Sequence, residues 1–393
     1  MTAVSHVGVN HRPHVALLIE TSLASGRDIL RGIARYLREH QPWSLYHEAH
    51  AAAGTVPSRL AHWAGDGIIA RVQSPRMAEE LQALEVPVID VLGAIDPGHL
   101  PTVRVNNRAI GRMAAEHLLN RCLKSFGYLG VPDERWSSER FEAFEQAVIP
   151  RNNVIARYTL ARNALGAHSW SFVIEAVVAW IARLPKPAGI FVCSDHLGPL
   201  VLEACRRASV VVPDEIAVVS VDNDDPLCEV CDPPLSSIDA RHETVGYVAA
   251  RLLDSMLLGT RAIKPPALVN PEEVIARRSS DTFAVGDAAL ASALTLIRDR
   301  ATDGLSVDQI ARHVGLSRSV LQRRFRTSLK RTVHEEILRV KIKCAQELLI
   351  KSRLPLATVA VRSGFTHPEY LGSVLKRRLG LTPRQIRINA RTQ

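Results

Sequence analysis

Arginine and amide side chains face outward on a short helix near the C-terminus, in a pattern suited to reading DNA bases. Ser317 can cap a helix over residues 318–326, in which apolar residues repeat at helical spacing. The outward-facing positions are Arg318, Ser319, Gln322 and Arg323. An arginine can donate two hydrogen bonds at once to the acceptors of guanine in the major groove. We therefore expect Gln322 and Arg323 to read bases.

A glycine-centred turn joins this helix to a preceding one. Ser306 can cap the preceding helix, which carries apolar residues at helical spacing and ends at Gly315. Gly315 suits a turn whose backbone conformation disfavours a Cβ atom. Two helices joined in this way form a helix-turn-helix, whose second helix lies in the major groove of DNA.

The same pattern occurs a second time, closer to the C-terminus. A short helix from Leu356 leads through Gly364 into a helix over Pro368–Leu379, and an uninterrupted helix over Val333–Lys351 joins the two copies. The candidate DNA contacts of the second copy are His367, Glu369, Ser373, Lys376, Arg377 and Arg378. Ser373 stands at the position of Arg323, so we expect this helix to hold phosphates more than to read bases. A plain helical bundle would explain one copy, but two copies disfavour it.

The positive charge of the chain is concentrated in this segment. Residues 289–393 hold 21 Lys and Arg against 7 Asp and Glu, whereas the remainder holds 28 against 33. A block of positive charge attracts the phosphate backbone and makes affinity fall steeply with salt. A membrane surface would attract the same charge, but the arginines lie opposite a core stripe and not beside exposed aromatic residues.

These motifs resemble the AraC/XylS family of bacterial transcription regulators over roughly residues 288–391. The residues that carry the resemblance are Ile310-Ala311, Gly315-Leu316-Ser317, Ser319, Leu321, Arg323, Phe325-Arg326, Ala360, Gly364-Phe365, Tyr370, Lys376, Gly380-Leu381-Thr382-Pro383 and Arg387. The chain departs from the family at Ser373, where a groove-reading Arg is common. The resemblance implies an all-α double helix-turn-helix domain that binds a double-stranded DNA operator. We expect a homodimer, since one double motif covers one half-site, and RNA polymerase as a further contact.

Strand and helix patterns alternate from residue 14 to residue 279. The predicted strands include His14–Ile19, Gly67–Ala70, Val86–Val91, Phe126–Gly130, Ala188–Cys193 and Ile216–Val221, and the predicted helices include Ala24–Glu39 and Asn107–Arg121. Repeated β-α units favour parallel sheets, with ligands at the carboxyl ends of the strands. A segment of about 265 residues suits two lobes.

This segment resembles the sugar-binding domain of LacI/GalR repressors and of ribose-type periplasmic binding proteins. The residues that carry the resemblance are Gly65–Ile69, Val86–Ile89 and Arg140 in the first half, and Cys193-Ser194-Asp195, Val212–Asp222 and Leu235–Ile238 in the second. The resemblance implies an α/β two-lobed periplasmic-binding-protein-like sensor that precedes the DNA-binding domain. It also implies a monosaccharide effector.

Polar residues at the predicted strand ends meet the chemical demands of a sugar. Each hydroxyl both donates and accepts, so a specific pocket needs carboxylates, amides and Arg, together with an aromatic face. The candidate ligands are Asp195, Asp222, Asn223 and Arg140, with Trp136 as the platform for the ring. An Asp after a strand is more often a helix cap, and Trp136 could equally be a lid on its own lobe. The resemblance favours the ligand role for Asp195, Asp222 and Arg140.

The first lobe offers fewer obvious ligands. In ribose-type proteins an Asp-Arg pair follows the Val-Pro strand, where this chain has Leu92-Gly93. The remaining candidates of the first lobe are Ser22, Ser25, Arg27, Asp28 and Asp90.

Length and composition bound the organisation of the chain. Its 393 residues, 47% hydrophobic, suffice for several globular domains. We expect an N-terminal tail at 1–12, the sensor at 13–280, a linker at 281–287 and the DNA-binding domain at 288–393. The N-terminus lacks an apolar signal core and no apolar run is long enough to span a bilayer, so we expect a cytoplasmic protein.

The sequence disfavours an enzyme and a sugar-transport receptor. It contains no Walker A, GxSxG or HExxH motif, and a transport receptor would need a signal peptide and would not carry the basic domain. Cys228 and Cys231 have the spacing of half a zinc or redox site without a second half. His242-Glu243 and His334-Glu335-Glu336 are expected to be solvated helix residues. We expect no catalytic residue, no metal and no cofactor.

The combination of this sensor with a C-terminal AraC-type reader resembles bacterial regulators of pentose catabolism. Three further segments support it, Arg135–Arg140, Val221–Asn223 and Val274–Ser279. The resemblance implies D-xylose as the effector, with a different sugar as the alternative.

Overall fold

The structure is a computed structural model that describes residues 12–48, 55–60, 63–94, 100–151, 153–160, 170–259, 267–282 and 287–392. The chain divides into two compact units, Met1–Asp281 and Thr282–Gln393, and the division falls inside the expected linker. Residues 283–286 of that linker and residues 1–11 of the expected tail lie outside the described residues.

The first unit is built on two mainly parallel sheets. Its strands are β1 (His14–Leu18), β2 (Ser44–Glu48), β3 (Gly67–Ala70), β4 (Val88–Asp90), β5 (Val103–Val105), β6 (Ser125–Gly130), β7 (Val154–Thr159), β8 (Ala188–Val192), β9 (Ile216–Val221), β10 (Ser236–Ile238), β11 (Ala267–Val269) and β12 (Val274–Ile275). The first sheet has the order β2-β1-β3-β4 and the second β12-β10-β9-β8-β6-β7, with β12 antiparallel to β10. A further parallel pair joins β5 to β11.

Helices cover these sheets and define two lobes. They are α1 (Ala24–Glu39), α2 (Pro75–Gln82), α3 (Asn107–Leu119), α4 (Arg135–Val148), α5 (Trp170–Arg183), α6 (Gly198–Arg207), α7 (Asp225–Val230) and α8 (His242–Leu257). In the first lobe α1 packs on α8, which contacts β3 and β4. In the second lobe α3 packs on α4, and α3 contacts β8, β9 and β10.

Continuous apolar runs explain why the central strands form. Val15 to Leu18 in β1 and all of Ile216–Val221 in β9 are buried, as expected for parallel strands covered on both faces. These strands and helix α1 confirm the sequence prediction to within a residue. The prediction missed β2 and β7, because both are edge strands with partly exposed residues and no continuous apolar run. It also missed β5, β10, β11 and β12, which at two or three residues are too short to show a strand pattern.

The second unit is all helical. Its helices are α9 (Ala288–Arg300), α10 (Val307–His313), α11 (Arg318–Leu329), α12 (Val333–Lys351), α13 (Leu356–Arg362), α14 (Pro368–Leu379) and α15 (Pro383–Thr392). Gly315 and Gly364 adopt φ values of +67° and +77° in the two turns, where a Cβ atom would be strained. The α/β sensor followed by an all-α unit confirms the predicted fold class.

One helix belongs to both apolar cores of this unit. Val333 and Ile337 of α12 pack into the core that holds α10 and α11. Ile342 and Leu349 of the same helix pack into the core that holds α13 and α14. The separation of the two helix-turn-helix motifs is therefore set by the length of α12.

Glu336 corrects one expectation of the sequence analysis. It is 2% exposed and pairs with Arg339 at 2.7 Å and Arg331 at 2.6 Å, so it is not a solvated residue. Helical spacing places it toward the core side of α12, where the two guanidinium groups offset the cost of burying its charge.

Candidate functional site

A cleft lies between the two lobes of the sensor unit, at the carboxyl ends of the parallel strands. It encloses about 570 Å³ of space that opens to solvent. Its polar lining includes Ser25, Arg71, Asn107, Arg140, Asp222 and His242. Leu23, Ile29 and Trp136 supply apolar surface, so the lining suits a small polyhydroxylated ligand with one apolar face.

Asp222 follows β9 and points its carboxylate into a ring of donors. Oδ2 accepts from Oγ of Ser194 at 2.7 Å, and Oδ1 lies 3.1 Å from Nε2 of His242 and 3.8 Å from Nη2 of Arg140. Burial raises the pKa of Asp222, but the hydrogen bond from His242 and the charge of Arg140 outweigh it and hold the pKa at about 2. Asp222 is therefore an ionised acceptor at neutral pH.

Arg140 and Trp136 lie one turn apart on α4, and the guanidinium of Arg140 lies over the Trp136 ring. The Arg140 guanidinium carbon lies 5.0 Å from the centroid of the Trp136 ring. Nε of Arg140 donates to Oδ1 of Asn107 at 3.0 Å, and Nη1 donates to the carbonyl of Cys193. These contacts fix the guanidinium at the cleft wall, where it can donate to a ligand hydroxyl.

Asp195 and Asn223 do not line the cleft. Asp195 is 1% exposed, and its Oδ1 accepts from the hydroxyls of Ser237, at 2.7 Å, and Ser220. Its Oδ2 accepts from the backbone N–H of Asp224 at 2.8 Å. Burial, reinforced by the charge of Asp222, raises the pKa of Asp195 to about 7. The structure thus places Asp195 beneath the cleft, where it holds the loop after β9.

Asn223 is held in the same loop. Its side-chain oxygen accepts from Nη2 of Arg277 at 3.1 Å, and its backbone N–H donates to Ser237 Oγ at 2.9 Å. The positive φ of Asn223, +48°, belongs to the turn that carries Asp222 into the cleft. Its amide is directed away from the cleft lining.

Sequence reasoning missed His242 and Arg71. His242 begins α8 and its side chain is only 11% exposed, so the expectation of a solvated residue is wrong. Because the ionised Asp222 can only accept, Nε2 of His242 carries the hydrogen. Arg71 directly follows β3, and that position after a buried strand was the available signal.

The candidates from the first lobe take different places. Ser25 lines the cleft and accepts from Arg71 Nη1 at 3.1 Å. Asp90 accepts from three backbone N–H groups, so its carboxylate is already hydrogen-bonded within the protein. Asp28 pairs with Arg31 on α1, and Ser22 donates to Glu20. Ser25 is the one of these five that lines the cleft.

The second unit presents a polar face on α11. Ser317 accepts from the N–H of Val320 and so caps this helix, as expected. Arg318, Ser319 and Arg323 are exposed, and Gln322 is half-buried. Arg318 pairs with Asp308 at 3.2 Å, whereas the structure shows no ion pair for Arg323 among the described residues. Arg323 is therefore available to a groove.

The second motif presents a more basic face on α14. All six of its candidate DNA contacts are exposed, and Leu371, Val374 and Leu375 form the buried stripe opposite them. Lys376, Arg377 and Arg378 lie together in the last turn. Arg378 lies 4.0 Å from Glu335 across the unit. A cluster of cations at one helix end suits phosphate contacts.

The described part of the chain holds no cluster of three or more His, Cys, Asp or Glu side chains arranged for a metal ion. All six cysteines are free thiols. Of the described helices, none combines the length and apolar character that a bilayer span requires.

Family models match three consecutive parts of the chain. Residues 14–104 match a XylR N-terminal domain, residues 115–280 a periplasmic binding protein-like domain, and residues 310–389 a helix-turn-helix domain. The two domains of the sequence analysis thus correspond to separate families in the expected order.

Curated relatives match along nearly the whole chain. The Xylose operon regulatory protein of Haemophilus influenzae is 29% identical over 95% of this chain and 98% of its own length. The protein of the same name from Escherichia coli K12 is also 29% identical, over 96% of this chain and 97% of its own length.

A solved structure has the same arrangement of domains. The structure described as a xylose-binding transcription activator is 28% identical, covers 97% of this chain and 99% of its own, and superposes with a TM-score of 0.62. Along nearly its whole length the chain therefore resembles transcription regulators that join a periplasmic-binding-protein-like sensor to a C-terminal helix-turn-helix domain.

Proposed function

We propose that this protein is a sugar-responsive, sequence-specific DNA-binding transcription regulator whose effector is D-xylose. The observation that carries the proposal is the cleft in which ionised Asp222 faces Arg140, in a chain that also holds two helix-turn-helix motifs. The names of the full-length relatives support D-xylose over another sugar. The description of the solved structure as a transcription activator favours activation of pentose catabolism genes.

The sugar hydrogen-bonds to Asp222 and Arg140 and stacks on Trp136. A carboxylate that is already oriented by Ser194 and His242 accepts from ring hydroxyls without reorganisation. Trp136 keeps its own N–H on Glu134 at 2.9 Å, which leaves its ring to cover the apolar face of the sugar. Asp195 and Asn223 do not contact the sugar. They hold the loop that presents Asp222.

Sugar binding changes DNA binding through the arrangement of the two lobes. A ligand that contacts both walls of the cleft stabilises the closed arrangement to the extent that it binds that form better. The change passes through a linker over 281–287 between a sensor at 13–280 and a DNA-binding domain at 288–393. A homodimer places two DNA-binding domains on paired half-sites and adds affinity through effective concentration. RNA polymerase is the further partner of an activator, the protein acts in the cytoplasm, and it has no catalytic activity.

On DNA, Gln322 and Arg323 read bases from the major groove. Arg318 and Ser319 flank them at the start of α11, and the basic end of α14 holds phosphates. His367, Glu369 and Ser373 lie on the groove side of α14.

Isothermal titration calorimetry tests the sugar site. We expect D-xylose to bind the full chain, and Asp222→Ala to lose charged hydrogen bonds worth roughly 1.5–3 kcal/mol each. Asp214→Ala, a matched change at an exposed residue of the same lobe, should bind as the wild type does. Unchanged D-xylose affinity in Asp222→Ala contradicts the assignment of the site.

A further inference from the structure

Arg71 enters the cleft from the first lobe with an incomplete set of hydrogen bonds. Its Nη1 donates to Ser25 Oγ at 3.1 Å. Its Nε is buried and has no hydrogen-bond partner among the described residues. Leaving a buried donor of a charged group unsatisfied is costly, so the protein itself does not supply the full set of acceptors that this guanidinium requires.

The nearby carboxylates of the protein are already engaged. Asp222 accepts from Ser194 and His242 and faces Arg140. Both oxygens of Asp90 accept from the backbone N–H groups of Val72, Leu92 and Gly93. Across the described ranges no carboxylate forms an ion pair with Arg71. Burial lowers the pKa of its guanidinium, and the charges of Asp222, Glu20, Asp90 and Glu134 offset this only through space. The positive charge of Arg71 is therefore uncompensated by direct contact.

The cleft lining consequently has an excess of positive charge. Arg71 and Arg140 are cations, and Asp222 is the single carboxylate among the residues found to line the cleft. A neutral sugar supplies hydroxyl acceptors but leaves this excess in place when water is excluded. A carboxylate on the ligand would neutralise it and match the planar fork of a guanidinium.

We propose that the cleft binds sugar acids in addition to the neutral pentose, with the ligand carboxylate on Arg71. This inference rests on the proposed function, because it assumes that the cleft holds a sugar. D-Glucuronate is a suitable probe, since its ring is that of D-xylose with a carboxylate on C5. Its ring hydroxyls keep their partners in Asp222 and Arg140, and its carboxylate adds the pair with Arg71.

Calorimetry on the full chain tests the proposal with two sugar acids and their neutral counterparts. D-Xylose, D-glucose, D-glucuronate and D-xylonate are titrated at neutral pH. D-Glucose controls for the size of the extra group on C5. We expect at least one of the two acids to bind about tenfold or more tightly than its neutral counterpart, the gain of one charge-assisted pair. If neither acid binds more tightly than its neutral counterpart while D-xylose binds, the inference fails and the proposed function stands; if no ligand binds, both fail.

Substitution of Arg71 separates the carboxylate contact from general sugar binding. Arg71→Gln should lose about tenfold or more of the ratio of acid affinity to neutral-sugar affinity, a ratio in which any shared loss of sugar binding cancels. Arg112→Gln removes the same charge from an exposed position on α3 and should keep the preference. Arg71→Lys retains the charge but lacks the planar guanidinium, so it should keep part of the preference for the acid. This variant covers the case in which Arg71→Gln fails to fold. An acid preference that is undiminished in Arg71→Gln, or undiminished in Arg71→Lys where Arg71→Gln does not fold, overturns the proposal.

Discussion

Arg27 on α1 donates from Nη2 to Oδ2 of Asp224 at 3.0 Å and so ties the first lobe of the sensor to the loop after β9. The same loop carries Asp222, and its Asp224 N–H is held by buried Asp195. Arg27 also donates to the carbonyls of Thr21 and Ser22, which orient it toward the second lobe. The pair joins opposite walls of the cleft, so it stabilises the arrangement in which the walls approach each other.

Breaking this pair should weaken sugar binding without removing a sugar contact. The two side chains are 38% and 16% exposed, so the pair is worth about 0.2–1 kcal/mol. Arg27→Gln should therefore weaken D-xylose affinity by a factor of roughly 1.4 to 5. Arg31→Gln, which breaks the Asp28 pair within α1, is the matched control. Calorimetry measures both, and equal affinities in the two variants would argue against a role for Arg27 in lobe closure.

The pH dependence of sensor stability should report on Asp195. Burial and the Asp222 charge raise its folded-state pKa to about 7, from the 3.8 of an unperturbed Asp. The folded state therefore keeps a proton that the unfolded state loses, and the contribution of Asp195 to stability is lost as pH rises from about 4 to about 7. The loss is at most about 1.4 kcal/mol per pH unit.

Asp195→Asn removes this titration. Melting temperatures at pH 5, 6, 7 and 8 should show the wild type losing stability relative to Asp195→Asn as pH rises. Asp214→Asn, at an exposed position, controls for the change in charge. Parallel curves for wild type and Asp195→Asn would contradict the raised pKa.

The two helix-turn-helix motifs should divide base reading from phosphate binding. Arg323→Ala should cost about 1–3 kcal/mol and relax sequence preference at one base pair. Lys376→Ala should weaken all sequences similarly and reduce the salt slope by about one. Selection from random DNA at two salt concentrations measures both effects. If Arg323→Ala leaves the sequence preference unaltered, the assignment of Arg323 is wrong.

The second unit should fold and bind DNA when separated from the sensor. It has two apolar cores of its own, joined by α12, and holds the positive excess of the chain. A fragment over 282–393 should give a helical circular dichroism spectrum, unfold cooperatively and bind DNA with a steep salt dependence. A fragment without helical signal would mean that the unit depends on the sensor.

Sequence patterns predicted the bounds of helices and strands better than the residues that line the cleft. The bounds of α12 and α14 could be predicted because capping residues and apolar spacing are local signals. Asp222 could be found because it follows a predicted strand, and Arg140 because the family resemblance favours it. The position of His242 depends on how α8 packs beside the end of β9, which no local pattern encodes. The burial of Asp195 likewise depends on hydroxyls from β9 and β10 that the sheet order brings to it.

DNA affinity measured with and without D-xylose tests whether sugar binding in the sensor controls DNA binding. DNA selected by the purified protein is titrated by fluorescence anisotropy, with wild type and Asp222→Ala in parallel. A regulator that couples the two units should change its DNA affinity about fivefold or more on saturation with D-xylose, and Asp222→Ala should show no change at the same sugar concentration. If wild-type DNA affinity is the same with and without D-xylose, the protein is not a D-xylose-responsive regulator.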